Sequence, residues 1–357
     1  MAWTSNRICQ TLGIALPIVQ APMAGSDSPD MTAAVSEAGG LGSLACAMLS
    51  PEHVEEAAAY IRSKTKNPIN LNFFCHNPPK ADAGRDTRWR EEISAYFAEF
   101  GIAPDAQSAV ANRAPFDDAL CAVVEAVRPH VVSFHFGLPE AGLLDRVKST
   151  GAIVMSSATT VAEAVWLEQN GCDIVIAQGA EAGGHRGMFL SDDIATQAGT
   201  LALVPQIVDA VDVPVIASGG IGDARGIAAA FMLGADGVQL GTAYLKCPEA
   251  RLNPLHARAL PSARDDNTAL TNVFTGRPAR GIMNRLMRDL GPMSDIAPDF
   301  PTAGKALAPL RVRAESQGRD DFTNLWAGQA AHLSPSFPAG ELTHILMAQA
   351  RARLKSF

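Results

Sequence analysis

A chain of 357 residues that is 47% hydrophobic and only 18% charged carries enough apolar side chains for a large buried core, which argues against a disordered protein. Its 37 acidic and 29 basic residues give a formal charge of −8, with no Lys/Arg-rich block, so nucleic acid and anionic membrane surfaces are excluded as expected partners and a small molecule is preferred. No stretch is long and apolar enough to span a bilayer, the first twenty residues lack a signal-peptide pattern, and six scattered cysteines without a CxxC pair read as reduced thiols of a cytoplasmic protein.

In chain order, short apolar runs alternate with helical patterns. Pro17 to Gln20 reads as a first strand opening into Ala21-Pro22-Met23-Ala24-Gly25, and the helical stretch Met31 to Ala38 stops at Gly39-Gly40. Leu41 to Cys46 is a second strand. Ser50-Pro51-Glu52 supplies an N-cap, a first-turn proline and an acidic residue for a helix to about Lys64. Ile69 to Phe74 is the third strand. From Cys75 to Pro129 the beat pauses in a long connection with helical patterns at Arg85 to Phe100 and Phe116 to Val127, expected to cover one end of the fold.

The alternation then resumes with strands at Val131 to Phe134, Ala152 to Ser156, Asp173 to Ala177, Val213 to Ala217 and Gly237 to Leu240, and with helices at Thr160 to Asn170 and Ala224 to Leu233. Eight strand-like runs, most of them continuously apolar, fit parallel strands covered on both sides, and the fold class is α/β, a (β/α)8 TIM barrel. The expected organisation is a barrel over 1–245, closed by C-terminal helices at about 322–357, with a smaller, mainly helical element over 246–321 near the barrel mouth. Within that element Gly281 to Leu290 reads as helix, and no run has convincing strand length. The stretch from Phe322 through Leu325-Trp326-Ala327-Gly328-Gln329 to Leu354 is also expected to be helical.

Chemistry collects at the carboxyl ends of the strands. Ser218-Gly219-Gly220-Ile221-Gly222 leads into a helix after strand seven, and Gln239-Leu240-Gly241-Thr242 follows strand eight. Glycines at these two neighbouring places suit a phosphate, because backbone N–H groups and a helix N-terminus converge there. A nucleotide-like cofactor follows. Met23 offers a thioether to an aromatic ring, and the amides of Asn72 and Gln178 can donate and accept in a ring plane. The turn QGAEAGGHRG, Gln178 to Gly187, places His185 among glycines that permit close approach of backbone to cofactor. His135, between two phenylalanines, reads equally as a packed histidine or a substrate contact. His76 has no partner at metal-like spacing, so no metal is expected.

Taken together, QAPMAG, INLNFF, SFHFGLP, QGAEAGGHRG, SGGIGDARG and GVQLGTAYL resemble the nitronate monooxygenase family, formerly 2-nitropropane dioxygenases, over nearly the whole chain. SFHFG and KALAPLR, Lys305 to Arg311, resemble its class I branch. The resemblance implies FMN and the oxidative denitrification of alkyl nitronates by O2 through a flavin semiquinone, with nitrite released and propionate 3-nitronate as natural substrate. It implies FMN contacts at Pro22, Met23, Ala24, Asn72, Gln178, Gly183, Ser218, Gly219, Gly220, Gln239, Leu240, Gly241 and Thr242. It also implies His185 as the catalytic histidine, substrate contacts from His135 and Lys305, and a monomer or homodimer. The glycine motifs are shared with FMN-dependent NAD(P)H:quinone reductases and enoyl-acyl carrier protein reductases, the alternative reading; SFHFG and KALAPLR favour the monooxygenase.

Overall fold

Runs such as Ile-Val-Ile-Ala carry apolar side chains at consecutive positions, so both faces of the strand need cover. A parallel barrel sheathed by helices provides it. The computed structural model describes residues 6–103, 105–106 and 113–356. Its barrel strands are β1 (Ile18–Gln20), β2 (Gly42–Ala45), β3 (Ile69–Phe74), β4 (Val131–His135), β5 (Ile153–Ala158) and β6 (Ile174–Gln178). After a two-residue strand outside the barrel, β7 (Gly184–His185), come β8 (Val215–Ser218) and β9 (Gly237–Leu240). All eight barrel strands run parallel in the order β1-β9-β8-β6-β5-β4-β3-β2. A parallel bridge between Val19 and Leu41 joins the two ends, so the fold is the expected (β/α)8 barrel.

The barrel interior is graded. At its amino end, the helix Arg7–Leu12 is capped by the Asn6 side chain and packs Ile8 and Leu12 with Val131, Met155, Ile174 and Ile216. Toward the other end the interior turns polar: Asn70 Nδ2 donates to Ser43 Oγ (3.0 Å) and Ser133 Oγ (2.8 Å), and Asn72, two residues on and on the same face, donates to Ser133 Oγ (2.9 Å). The sealed apolar end leaves the carboxyl ends of the strands as the place for a site.

Around this frame the helices follow their local signals. Ser50 caps Pro51–Lys64, and Thr160 caps Val161–Gln169. Helices Ala141–Ser149 and Thr200–Val208 add to those read from the sequence, and Arg85 to Phe100 divides at Ile93 into Ala83–Glu92 and Ser94–Glu99. The last helix, Ala339–Leu354, packs against Pro29–Glu37 and Ala224–Met232, between the first and last barrel helices.

The later part of the chain departs from its sequence reading. Strands β10 (Thr268–Thr271) and β11 (Ala279–Ile282) pair antiparallel, and β11 also pairs with β7, where helix and loop were expected. Helix in this stretch is confined to Pro254–Ala259, Arg285–Leu290 and Ala303–Ser316. Four-residue runs such as ARGI carry no period-2 pattern; β10 and β11 are extended through their mutual pairing, and β11 is also held by β7, nearly a hundred residues away. Leu325 to Gln329 is likewise not helical, because Trp326 bridges Gly281 of β11. Over the mouth, Trp89, Tyr96 and Phe97 of the long connection share one apolar cluster with Phe274, Leu307, Leu310 and Phe322.

A close approach of the first barrel helix to β2 gives a direct test of this packing. A β-carbon on Gly42 would lie 2.0 Å from the carbonyl oxygen of Thr32, whereas one on Gly142, in an exposed first helical turn, meets nothing within 4 Å. Gly42→Ala is expected to lower unfolding free energy by about 3 kcal/mol or more through overpacking. Gly142→Ala should raise it by roughly 0.5 kcal/mol through the unfolded chain. Chemical denaturation reads both, and equal midpoints would contradict the packing.

Candidate active site

The turn after β6 is built from its own side chains. Arg186 is fully buried and donates from Nη2 to the carbonyl of Gln178 (2.6 Å), from Nη1 to that of Gly179 (2.6 Å) and from Nε to Gln197 Oε1 (2.9 Å). Burial pulls its pKa down to about 10, which leaves it charged at neutral pH. The Gln178 amide spans the turn from the other side: Nε2 donates to the His185 carbonyl (3.0 Å), and Oε1 accepts from Gly187 N–H (2.8 Å). Gly183 lies against the 327–328 segment, where a β-carbon would come within 2.5 Å of the Gly328 nitrogen. Backbone 184–185 is then tied into β7, pairing with Ala279 and Arg280. The imidazole of His185 is thus carried on a held strand.

The ring of His185 sits among aromatic rings, with centroids 5.2 Å from Phe300, 5.7 Å from Trp326, 6.0 Å from Phe136 and 6.3 Å from Phe74. Its Nε2 lies 3.0 Å from Thr275 Oγ1, which is itself 3.3 Å from the carbonyl of Arg277. A carbonyl only accepts, so both contacts are hydrogen bonds when Thr275 donates to Arg277 and receives the proton on His185 Nε2. Nδ1 then carries the lone pair and has no protein partner among the described residues. Burial holds the pKa of this imidazole well below the ordinary histidine value, and the charges of Arg113 and Arg277 act in the same direction. His185 is therefore a neutral ring with one nitrogen open to accept a proton.

His135 lines the same cavity, but both of its nitrogens are engaged. Nε2 donates to the His185 carbonyl (3.2 Å), and Nδ1 accepts from Ser157 Oγ (3.1 Å). Burial pushes its pKa down to about 3. Both nitrogens of His135 are thus engaged by the protein, one of them on the carbonyl of His185. His76 is buried, packs edge-on to Phe300 at 4.8 Å, and has an Nδ1 without a partner.

Across the cavity from the imidazole, the strand ends form a cradle. Pro22, Met23, Ala24, Asn72, Gln178, Gly183, Ser218, Gly219, Gly220, Gln239, Gly241 and Thr242 all line it. Asp27 Oδ2 accepts from Met23 N–H (2.8 Å) and Ala45 N–H (2.9 Å), which fixes the first loop beneath the cavity. Gly219 and Gly220 have φ of +104° and +68°, successive left-handed residues that turn backbone N–H groups to one side. Among the described residues no protein acceptor takes the N–H of Gly220, Ile221, Gly241 or Thr242, and Gln239 Oε1 is buried with no hydrogen-bond partner. Free amides at one end and an unsatisfied side-chain oxygen at the other are what a phosphate-bearing planar cofactor would satisfy, so these residues fit FMN.

Two expected residues lie elsewhere. Leu240 is 1% exposed and packs into the barrel core, contributing only its carbonyl to Ala21 N–H, because alternate side chains of β9 point away from the mouth. Lys305 is exposed on the helix Ala303–Ser316 and does not line the cavity. In its place stands Arg113, which the sequence reading passed over because it lies in an aperiodic NRAP stretch. Thr275 and Arg277 were also missed, although their Thr-Gly-Arg-Pro turn, with Gly276 at φ +88°, is a local signal that could have marked them.

A (β/α)8 barrel whose mouth joins a neutral imidazole to an amide-rich cradle is the architecture of a barrel enzyme that works on a cofactor-sized ligand. The nitronate monooxygenase family model matches residues 5–349, and the chain belongs to that family. It is 41% identical to a nitronate monooxygenase of Pseudomonas aeruginosa over 97% of this chain and 99% of that protein. It is 40% identical to one of Paraburkholderia phytofirmans over 93% and 91%. Among solved structures, nitroalkane oxidase from Streptomyces ansochromogenes superposes with a TM-score of 0.86 at 38% identity, covering 96% of this chain and 97% of that one. FabK from Thermotoga maritima superposes with a TM-score of 0.75 at 27% identity, covering 98% and 97%.

The neutral state of His135 has a measurable consequence. A histidine with a depressed folded pKa costs stability as the pH falls, because the unfolded chain binds a proton below about 6.5 and the folded chain does not until about 3. Unfolding free energy should fall with pH across that window. In His135→Asn the slope between about pH 6 and pH 4 should be shallower by up to about 1.4 kcal/mol per pH unit. An unchanged slope would mean that His135 takes up its proton in the folded state.

Proposed function

We propose that this protein is an FMN-dependent nitronate monooxygenase that oxidises alkyl nitronates with O2 and releases nitrite, with propionate 3-nitronate as substrate. The observation that carries the reading is a neutral His185 with an open Nδ1, set among aromatic rings and arginines beside the amide-rich cradle. Membership of the family and the 38% identical nitroalkane oxidase support it. In this reading Gly219, Gly220, Gly241 and Thr242 hold the FMN phosphate, and Pro22, Met23, Ala24, Asn72, Gln178, Gly183, Ser218 and Gln239 surround the rest of the group. When bound, FMN supplies the electron transfer between nitronate and O2.

The chain's own residues bind, orient and move one proton. Arg113 and Arg277 give the cavity positive charge, which draws in an anionic nitronate. Glu181, the carboxylate that lines the cavity, is occupied by Thr200, whose N–H and Oγ1 both lie 2.9 Å from it. Phe74, Phe136, Phe300 and Trp326 keep the neighbourhood of the imidazole apolar. With a neutral nitroalkane, His185 Nδ1 accepts the proton from the carbon bearing the nitro group; Thr275 fixes the tautomer that leaves this nitrogen free. With a preformed nitronate no proton need be removed, and His185 serves to position the anion.

Purified protein supplied with FMN should consume O2 and release nitrite from propionate 3-nitronate with no NADH or NADPH present. His185→Asn should lower kcat/KM for neutral nitroalkanes by about 10²- to 10⁴-fold and for nitronates by much less. Because the folded pKa of His185 lies well below 6.5, the acid limb of the nitroalkane profile should also lie below that value. Nitrite release that requires NADH, or a His185→Asn protein with unimpaired nitroalkane turnover, would overturn the reading.

A further inference from the structure

Arg113 is the least explained charge in the molecule. It lines the cavity, is half-buried, and stands over the ring of Phe300 with Cζ 5.9 Å from the centroid. Among the described residues its guanidinium has neither a hydrogen bond nor an ion pair, and the charged group felt most strongly there is another cation, Arg311. A guanidinium that lines a cavity with its donors unengaged by the protein offers them to a ligand there. Arg277 differs in that its guanidinium donates to the Met188 carbonyl, lies 4.1 Å over Phe136 and is not part of the cavity lining, although its Nε is buried without a partner.

The placement is informative as well. Both groups lie against Phe300, His185 at 5.2 Å from its ring and Arg113 at 5.9 Å, so the two polar groups lie within about 11 Å of each other beside an apolar surface. One ligand with an anionic head at His185, a short apolar spacer past Phe300 and a second anionic end would meet both. A carboxylate matches the planar fork of a guanidinium in two parallel hydrogen bonds.

We propose that Arg113 is the specificity-determining residue of this site, pairing with a carboxylate at the far end of the nitronate substrate. The protein thereby selects carboxylate-bearing nitronates over simple alkyl nitronates of similar length. This deepens the function proposed above and rests on it.

The test compares two probes in the FMN-loaded enzyme, propionate 3-nitronate and the nitronate of 1-nitropropane. In the native protein kcat/KM should favour the carboxylate probe. In Arg113→Met that preference should fall on the order of 30-fold or more, mainly through KM, because a charged partner has been removed. Arg113→Lys, which keeps the charge but not the fork, should recover part of it, and guanidinium ion added to Arg113→Ala should restore it in part. A thermal unfolding midpoint within a few degrees of the native protein's reports that each variant is folded.

A preference ratio that is unchanged in Arg113→Met, or equal losses on both probes, would overturn the assignment. So would a native enzyme that turns over both probes without preference. If the native enzyme oxidises neither probe, the underlying reading of function has failed instead, and this inference falls with it.

Discussion

Arg186 is the constraint on which the site depends. A loop of glycines and alanines has little of its own to hold a shape, yet the turn after β6 must present His185 at a fixed position. The buried guanidinium solves this by gathering the carbonyls of Gln178 and Gly179 and the side chain of Gln197 around one charge. The same charge would be expensive to bury alone, and the three acceptors compensate for its lost hydration. Gln178, His135 and the pairing with β11 then fix the other end of the turn. Bonds from three other parts of the chain therefore converge on a ten-residue segment, and the geometry of His185 is a consequence of them.

The second feature is the balance of charge around the imidazole. Positive groups and burial together favour the neutral ring, so a base is available without a neighbouring carboxylate to raise its proton affinity. The Thr275 hydroxyl decides which nitrogen is free. The same positive field that keeps His185 unprotonated also favours an anionic ligand. One electrostatic arrangement thus serves both binding and proton acceptance. The aromatic rings sharpen it, since water excluded by Phe136, Phe300 and Trp326 cannot screen these charges.

Much of this was legible in the sequence for identifiable reasons. All eight barrel strands could be read because parallel strands demand continuous apolar runs, and the cradle could be read because close backbone approach demands glycine at Gly183, Gly219 and Gly220. His185 was found through the same glycines. What escaped were short strands without a local pattern: β10 and β11 are set by their pairing with each other and with β7, and the extended form of Leu325 to Gln329 arises from a bridge to Gly281. The substrate side was read least well. Lys305 was favoured because it stands in a recognisable motif, while Arg113, in an unpatterned connection, is the cation that lines the cavity. Gln178 and His135 show a subtler limit, for the sequence announces a polar group at the mouth without revealing that the protein itself engages it.

The central claim is that the cavity transfers electrons from a nitronate to a bound flavin, without help from a nicotinamide. Anaerobic mixing of the FMN-loaded protein with propionate 3-nitronate, followed by visible absorption, tests it most directly. A prompt change in the oxidised flavin spectrum is expected with the nitronate, and none with NADH or NADPH. An oxidised spectrum that persists with the nitronate, but bleaches on addition of NADH, would contradict it.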